Sequence, residues 1–333
     1  LGKGKSLPSI YGASEPQMNA NNLRTKGYEL VLGWRDSFKL AGSTFSYGIT
    51  GTFSDYTAEY TKCDNPTGLI GDPYVGKKYG EIWGYKVDGL FRNDKEAAEY
   101  ASRIDLSTVA SGYYTATGAY GKGVRGGDIK YLDLNGDNIV NGGKGTLDDP
   151  GDRRVIGNSS PRYQYGASLN FSWYGFDVSV FMQGIGRLDW YPGADNLRFW
   201  GPYCRPYATF VPKNFMSQVW SEENPDAYFP RARAYTSLNS NSGTAYYTND
   251  RYLQNLAYCR LKNLTIGYTI PRRLTSKVGI KECRIYFSGE NLATWSALKS
   301  DFLDPEQAAA DSDKKANVYP WCKTYSIGLN LTF

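Results

Sequence analysis

The chain has 333 residues, a formal net charge of +5 and no histidine, which removes the commonest general base and zinc ligand and with them most hydrolase and metalloenzyme readings. The positive charge is spread through loop-like stretches rather than gathered on one face, which argues against nucleic acid as a partner. With 37 Gly and 29 Tyr against 3 Met, composition favours strands over helices; no apolar run approaches the roughly 18–20 residues of a membrane helix, so any crossing of a bilayer falls to alternating strands.

Residues 1–22 are polar and rich in Gly, Pro and Asn and read as the end of an outer loop of a longer chain, with no targeting segment in view. Two strands follow. In 26–36, Tyr28, Leu30, Leu32 and Trp34 alternate with Glu29, Val31, Gly33 and Arg35; in 44–54, Phe45, Tyr47, Ile49 and Phe53 alternate with Ser46, Gly48, Thr50 and Thr52. The short connection 37–42 makes them a hairpin. The period is then lost from about 57 to 160, a stretch too long for an ordinary connection, in which an acidic run at 94–99 predicts one short helix.

Alternation returns with Tyr163, Tyr165, Ala167, Leu169, Phe171 and Trp173 on one face, turns tightly at Tyr174-Gly175, and continues through Phe176, Val178, Val180 and Met182. A second aperiodic region, about 188–252, is dense in aromatics. Strands at 253–270 and 281–295 are joined by a short turn, and a third loop, about 297–321, leads to the last strand. There Tyr325, Ile327, Leu329, Leu331 and Phe333 alternate with Thr324, Ser326, Gly328, Asn330 and Thr332. The final octet, with Ser326, Gly328, Leu331 and Phe333 at its defining positions, resembles the C-terminal signal by which outer-membrane barrels are recognised for insertion.

These readings predict an all-β chain with about seven antiparallel strands, short and long connections alternating, as in bacterial outer-membrane barrels. Seven is below the even minimum of about eight, and even eight strands leave an interior only just filled by side chains, so a pore requires further strands. Tyr and Trp near strand ends, such as Trp34, Tyr56, Trp173, Tyr174 and Trp295, fit interfacial girdles. The five cysteines, Cys63, Cys204, Cys259, Cys283 and Cys322, are odd in number and lack a Cys-x-x-Cys pair; Cys259, Cys283 and Cys322 read as small wall residues on strands.

Seven blocks resemble, in order, the SusC-like (starch-utilisation and RagA type) TonB-dependent outer-membrane transporters of Bacteroidetes. They are Leu23-Arg-Thr-Lys-Gly-Tyr-Glu-Leu30, Ile82-Trp-Gly-Tyr-Lys-Val-Asp-Gly-Leu-Phe91, Gly127-Asp-Ile-Lys-Tyr-Leu-Asp-Leu-Asn-Gly-Asp137, Arg154-Val-Ile-Gly-Asn158, Gly175-Phe-Asp-Val-Ser-Val-Phe-Met-Gln-Gly184, Tyr252 to Pro271, and Ser288-Gly-Glu-Asn-Leu292. The resemblance implies that 23–333 is the C-terminal part of a large transmembrane barrel of about 22 strands. It also implies a multi-pass protein of the Gram-negative outer membrane, in contact with its lipid, that imports glycan or peptide oligomers. A SusD-like surface lipoprotein would cover the mouth, and TonB would act through an N-terminal plug absent, like the remaining strands, from these residues.

Two candidate sites stand out. Asp133, Asn135, Asp137 and Asn141, with the Ile139 carbonyl between them, have the oxygen spacing that wraps a loop around a hard cation such as Ca²⁺, with Asp148, Asp149 or Asp152 able to supply the acid missing from position 144; the same spacing also builds an Asx-rich turn closed by its own hydrogen bonds. In the second long loop, Trp190, Tyr191, Phe199, Trp200 and Trp220 could stack on sugar rings, with Asp195, Asn196 and Arg198 as hydrogen-bonding groups; they could equally anchor the loop or meet a partner. No catalytic constellation is visible, since the adjacent Glu222 and Glu223 cannot flank a scissile bond, so no enzyme is expected. The rival reading is a secreted, soluble carbohydrate-binding β-sandwich.

Overall fold

The computed structural model describes all residues except 1, 5–11, 13–16, 116–122, 195, 205–210, 234–244, 301, 311–318 and 320. Seven strands form one antiparallel sheet: β1 (Asn22–Leu40), β2 (Ser43–Lys62), β3 (Arg162–Trp173), β4 (Phe176–Arg187), β5 (Tyr258–Thr269), β6 (Glu282–Ser296) and β7 (Thr324–Thr332). Each pairs with its neighbour in sequence, so the order is a meander with β1 and β7 as free edges. The sandwich reading fails here: among the described residues the other sheets are all two-stranded, and none is large enough to cover this one. Among the described residues no helix is long and apolar enough to cross a membrane, which says nothing of strands.

Turn chemistry sets the polarity of the sheet. Ala41 and Gly42 both have positive φ (47° and 82°), as do Tyr174 and Gly175 (48° and 83°), the paired left-handed geometry that lets a two-residue loop follow the twist of its strands. The third short connection contains a helical turn at Arg272–Thr275 and ends on Gly279 at φ 76°. All three short links lie at one end of the sheet and the three long ones, 63–161, 188–257 and 297–323, at the other.

β1 and β2 are longer than their periodic cores suggested, running past the expected turn at 37–42 to leave only Ala41 and Gly42 between them. At 19 and 20 residues they are about twice the 9–11 that a bilayer needs. The first long loop therefore starts at 63 rather than 57. Ahead of β1, Gly2–Gly4 pairs with Gln17–Asn19 in a small ladder.

The hydrophobic core lies outside the main sheet. It joins Tyr85, Phe91, Leu106, Ile129, Tyr131 and Val140 from the first long loop to Tyr191, Phe199, Trp200, Tyr203, Phe229 and Tyr252 from the second. Helix α1 (Asp94–Ala101), expected from the acidic run, packs its Ala97 there; its N-cap Asn93 accepts the Glu96 amide at 2.9 Å. The two loops are thus one packed body standing on the long-connection end. Among the described residues no two cysteines are joined in a disulfide. Cys259 and Cys283 lie on β5 and β6, but Cys322 is exposed and lies before β7, a correction to the wall reading, because the chain has not yet joined the ladder there.

Candidate functional site

Register gives the sheet two chemically opposite faces. Across the seven strands one row reads Asp36, Tyr47, Phe171, Val178, Ile266, Phe287, Ile327, and the next on the same face reads Trp34, Ile49, Leu169, Val180, Leu264, Gly289, Tyr325. Between them, on the opposite face, runs Arg35, Gly48, Asn170, Ser179, Thr265, Ser288, Ser326. Partners directly opposite in an antiparallel ladder share a face, so one face is an apolar belt and the other a polar wall. The belt is bare: Ile327 is 84% exposed, Trp34 64% and Phe333 72%.

Small residues make room on the polar wall. The bidentate Arg284–Asp177 pair spans Gly267, where a Cβ would lie 2.5 Å from both side chains. Gly328, one of the four signal positions, lies beneath the Tyr286 ring, which a Cβ would meet at 2.2 Å. Ser326 is on the same polar face, Leu331 and Phe333 have the parity of the belt, and Lys281 Nζ donates to the Phe333 carbonyl at 2.7 Å.

The third loop is pinned to this wall by charges that the sequence reading passed over. Arg260, only 1% exposed, donates through Nη1 to Glu306 at 2.8 Å, through Nε to Thr294 at 2.9 Å and through Nη2 to Asp304. Lys262 reaches Glu306 at 2.8 Å. Asp304 also accepts the Glu306 and Gln307 amides, starting the helix Pro305–Ala310. The signal was present as two cations two residues apart on a strand, with acids at 304 and 306; what it lacked was the fold that brings the loop back.

The aromatic set of the second loop does not present itself to a ligand. Trp190, Tyr191, Phe199, Trp200 and Trp220 are all at most 7% exposed and Asn196 is fully buried; Asp195 lies outside the described residues, and only Arg198 is exposed. Ring faces needed for stacking on a sugar are occupied instead by neighbours. Phe199 and Trp200 meet edge-to-face at 4.8 Å, Trp200 and Tyr252 at 5.1 Å, and the Arg231 guanidinium lies 4.6 Å from the Trp220 ring. Asn196 caps the turn Leu197–Trp200 by accepting the Phe199 amide at 3.0 Å. The buried Asn249 amide donates to the Tyr131 and Tyr191 hydroxyls and so ties the two loops together.

The candidate cation loop is closed by its own hydrogen bonds. Asp133 accepts the Gly136 and Asn138 amides at 2.7 and 2.9 Å, Asn135 that of Asp137, Asp137 that of Ile139, and Asn141 that of Gly143. Asn138 takes φ 66°, the left-handed position that glycine holds in calcium loops. Asp152, fully buried, accepts the amides of Leu134, Asn135 and Asn141. The segment is thus built as an Asx-rich turn, one of the two arrangements its oxygen spacing allows.

A buried ion pair completes the outer body. Arg233 Nη2 lies 2.7 Å from Asp128 Oδ2 with both side chains at most 2% exposed, and the guanidinium stacks 4.0 Å over Tyr113. Burial pushes the Asp128 carboxyl up to about 7 against the opposing pull of Arg233. Nothing in the spacing of these residues marked them as partners.

An antiparallel meander with one apolar and one polar face, carrying long loops at a single end, defines a segment of a large β-barrel wall. No family model matches the chain. It is 24% identical to TonB-dependent receptor P3 of Formosa agariphila over 99% of its own length, and 26% identical to TonB-dependent receptor P26 of the same organism over 98%. It spans 30% and 31% of those relatives. In fold it matches the RagAB peptide transporter with a TM-score of 0.63 at 18% identity, over 98% of this chain and 31% of that one, and the open-open state of the RagAB peptide importer with a TM-score of 0.60. The resemblance to SusC/RagA-like TonB-dependent transporters drawn from the seven blocks thus holds along nearly the whole chain.

Proposed function

We propose that this chain is a wall segment of a TonB-dependent importer in the bacterial outer membrane. The observation that carries the reading is the register: seven strands share one bare apolar face and one polar face, the arrangement a strand wall needs when lipid lies on one side and a wet lumen on the other. The free edges β1 and β7 join the remaining strands, and the outer-loop body stands at the mouth, where it meets a SusD-like lipoprotein. The cargo is an oligomer, glycan or peptide, and the energy comes from TonB acting on the plug. Similarity to TonB-dependent receptors and to a peptide transporter supports this assignment.

The test is extraction from outer membranes in mild detergent, with gel mobility compared before and after boiling and the copurifying chains identified by mass spectrometry. A heat-modifiable species carrying a surface lipoprotein, and oligomer uptake that stops when TonB is deleted, is the expected result. A soluble, detergent-independent monomer would overturn it.

A further inference from the structure

The outer-loop body contains a cavity of about 380 Å³ that none of the functions above uses. Its walls are Trp83, Tyr85 and Tyr247, and its cationic side is Lys144 and Arg153. We propose that it is a binding site for an acidic sugar unit, the carboxylate meeting Arg153 and Lys144 and the pyranose ring lying against Trp83. This rests on the importer reading and names the cargo chemistry that the outer body selects.

The charge is available. Neither Arg153 nor Lys144 forms an ion pair among the described residues. The Arg153 guanidinium makes one hydrogen bond, from Nη2 to the Gly142 carbonyl at 2.8 Å, and its Nε is buried with no partner. Nη1 makes no hydrogen bond among the described residues, so the Nη1/Nη2 edge of the guanidinium is the one a carboxylate can meet with two parallel bonds. Two acids of the same segment are engaged by backbone: Asp149 accepts the Lys144 amide, and both oxygens of Asp152 accept backbone amides. Glycines hold the fork in place, since a Cβ at Gly142 or Gly145 would stand about 3.0 or 2.9 Å from the guanidinium.

The wall favours a sugar over a peptide. Trp83 is half-buried, held by its Nε1 bond to Glu81 at 2.8 Å, and forms no aromatic pair among the described residues, unlike the packed aromatics of the second loop. One common way for an extended peptide to bind is by adding to a free strand edge. Here Glu81–Gly84 is already paired with Arg154–Asn158, and Tyr85 exchanges bonds with Thr248 and Asp250. The volume suits roughly one or two pyranose rings.

Calorimetry on the intact transporter at low salt, with β-linked tetraglucuronate, the neutral tetraglucose of the same linkage and tetraglutamate as probes, tests the proposal. Tetraglucuronate is expected to bind about tenfold tighter than the other two, a preference that falls about threefold in Lys144→Gln, disappears in Arg153→Gln and weakens in Trp83→Ala. Lys144 is exposed, so its variant reads the charge even where loss of Arg153 disturbs the loop. Equal affinity for the acidic and neutral sugars, or a preference that survives both charge variants, overturns the proposal; tighter binding of tetraglutamate overturns its sugar assignment. TonB-dependent uptake without charge discrimination would count against this inference alone, whereas discrimination without uptake would count against the importer reading alone.

Discussion

In the wall, Leu30, Trp34, Ile49 and Ile327 are exposed on the apolar face of the sheet; in the outer-loop body, Trp200, Tyr203, Phe91 and Tyr252 are buried to within 1%. Both regions are rich in aromatic and aliphatic residues, yet one has no core and the other is nearly all core. The difference is one of solvent. A wall that meets lipid keeps its apolar side chains outside and satisfies its backbone in the ladder, whereas loops that meet water must bury theirs to be ordered at all. Hydrophobicity by itself therefore does not distinguish the two regions; periodicity and register do.

The contrast can be broken most strongly from the loop side. Trp200→Ala removes the largest buried ring of the outer body and is expected to cost about 3–5 kcal/mol there, read as new protease sensitivity within 188–257 while heat-modifiable mobility of the barrel persists. Loss of both together would mean that wall and body are one cooperative unit. Next comes the belt. Ile327→Arg is expected to destabilise the inserted barrel by about 2–4 kcal/mol, measured by unfolding in detergent or lipid, whereas Ser326→Arg on the polar face is expected to be close to neutral. Equal penalties would mean that the two faces are not in different media.

Smaller effects sharpen the picture of the outer body. Asp152→Ala removes the charged acceptor of three partly buried amide bonds and is expected to cost about 1–3 kcal/mol, with local hydrogen exchange rising at 134–141. A chelator is expected to leave the melting temperature unchanged, because the oxygens of 133–141 are committed to backbone amides; a drop of several degrees would show that the loop rearranges around a cation. The mildest change is in pH. With its folded pKa raised to about 7, Asp128 binds more protons in the folded than in the unfolded body, so its contribution is complete below about pH 4 and lost as pH rises through 7. Exchange protection around 125–128 is expected to be higher at pH 5 than at pH 8, and Asp128→Asn is expected to flatten that difference.

The wall was legible because its signal is local. A period of two over Tyr28 to Trp34 or Tyr325 to Phe333 needs no partner to be recognised, and Ala41-Gly42 and Tyr174-Gly175 end their strands by backbone chemistry. The ends of β1 and β2 were missed because their outer halves, such as Thr57 to Lys62, pair in the ladder without alternating in polarity. Within the aromatic loop, residue type marked Trp190, Trp200 and Trp220 as important but not as buried, since a ring destined for a core and a ring destined for a ligand look alike in one dimension.

The sequence by itself determined the seven strands, their alternating faces and the ends bearing short and long connections, all of which depend on residues within a few positions of one another. Only the tertiary structure decided that the two long loops share one core, that Arg260 clamps Asp304 and Glu306 to the wall, that Asp128 meets Arg233, and that Arg153, Lys144 and Trp83 line one cavity. These contacts join residues far apart in the chain. Such pairings are set by how the packed body excludes water, a property of the whole arrangement rather than of any stretch of it.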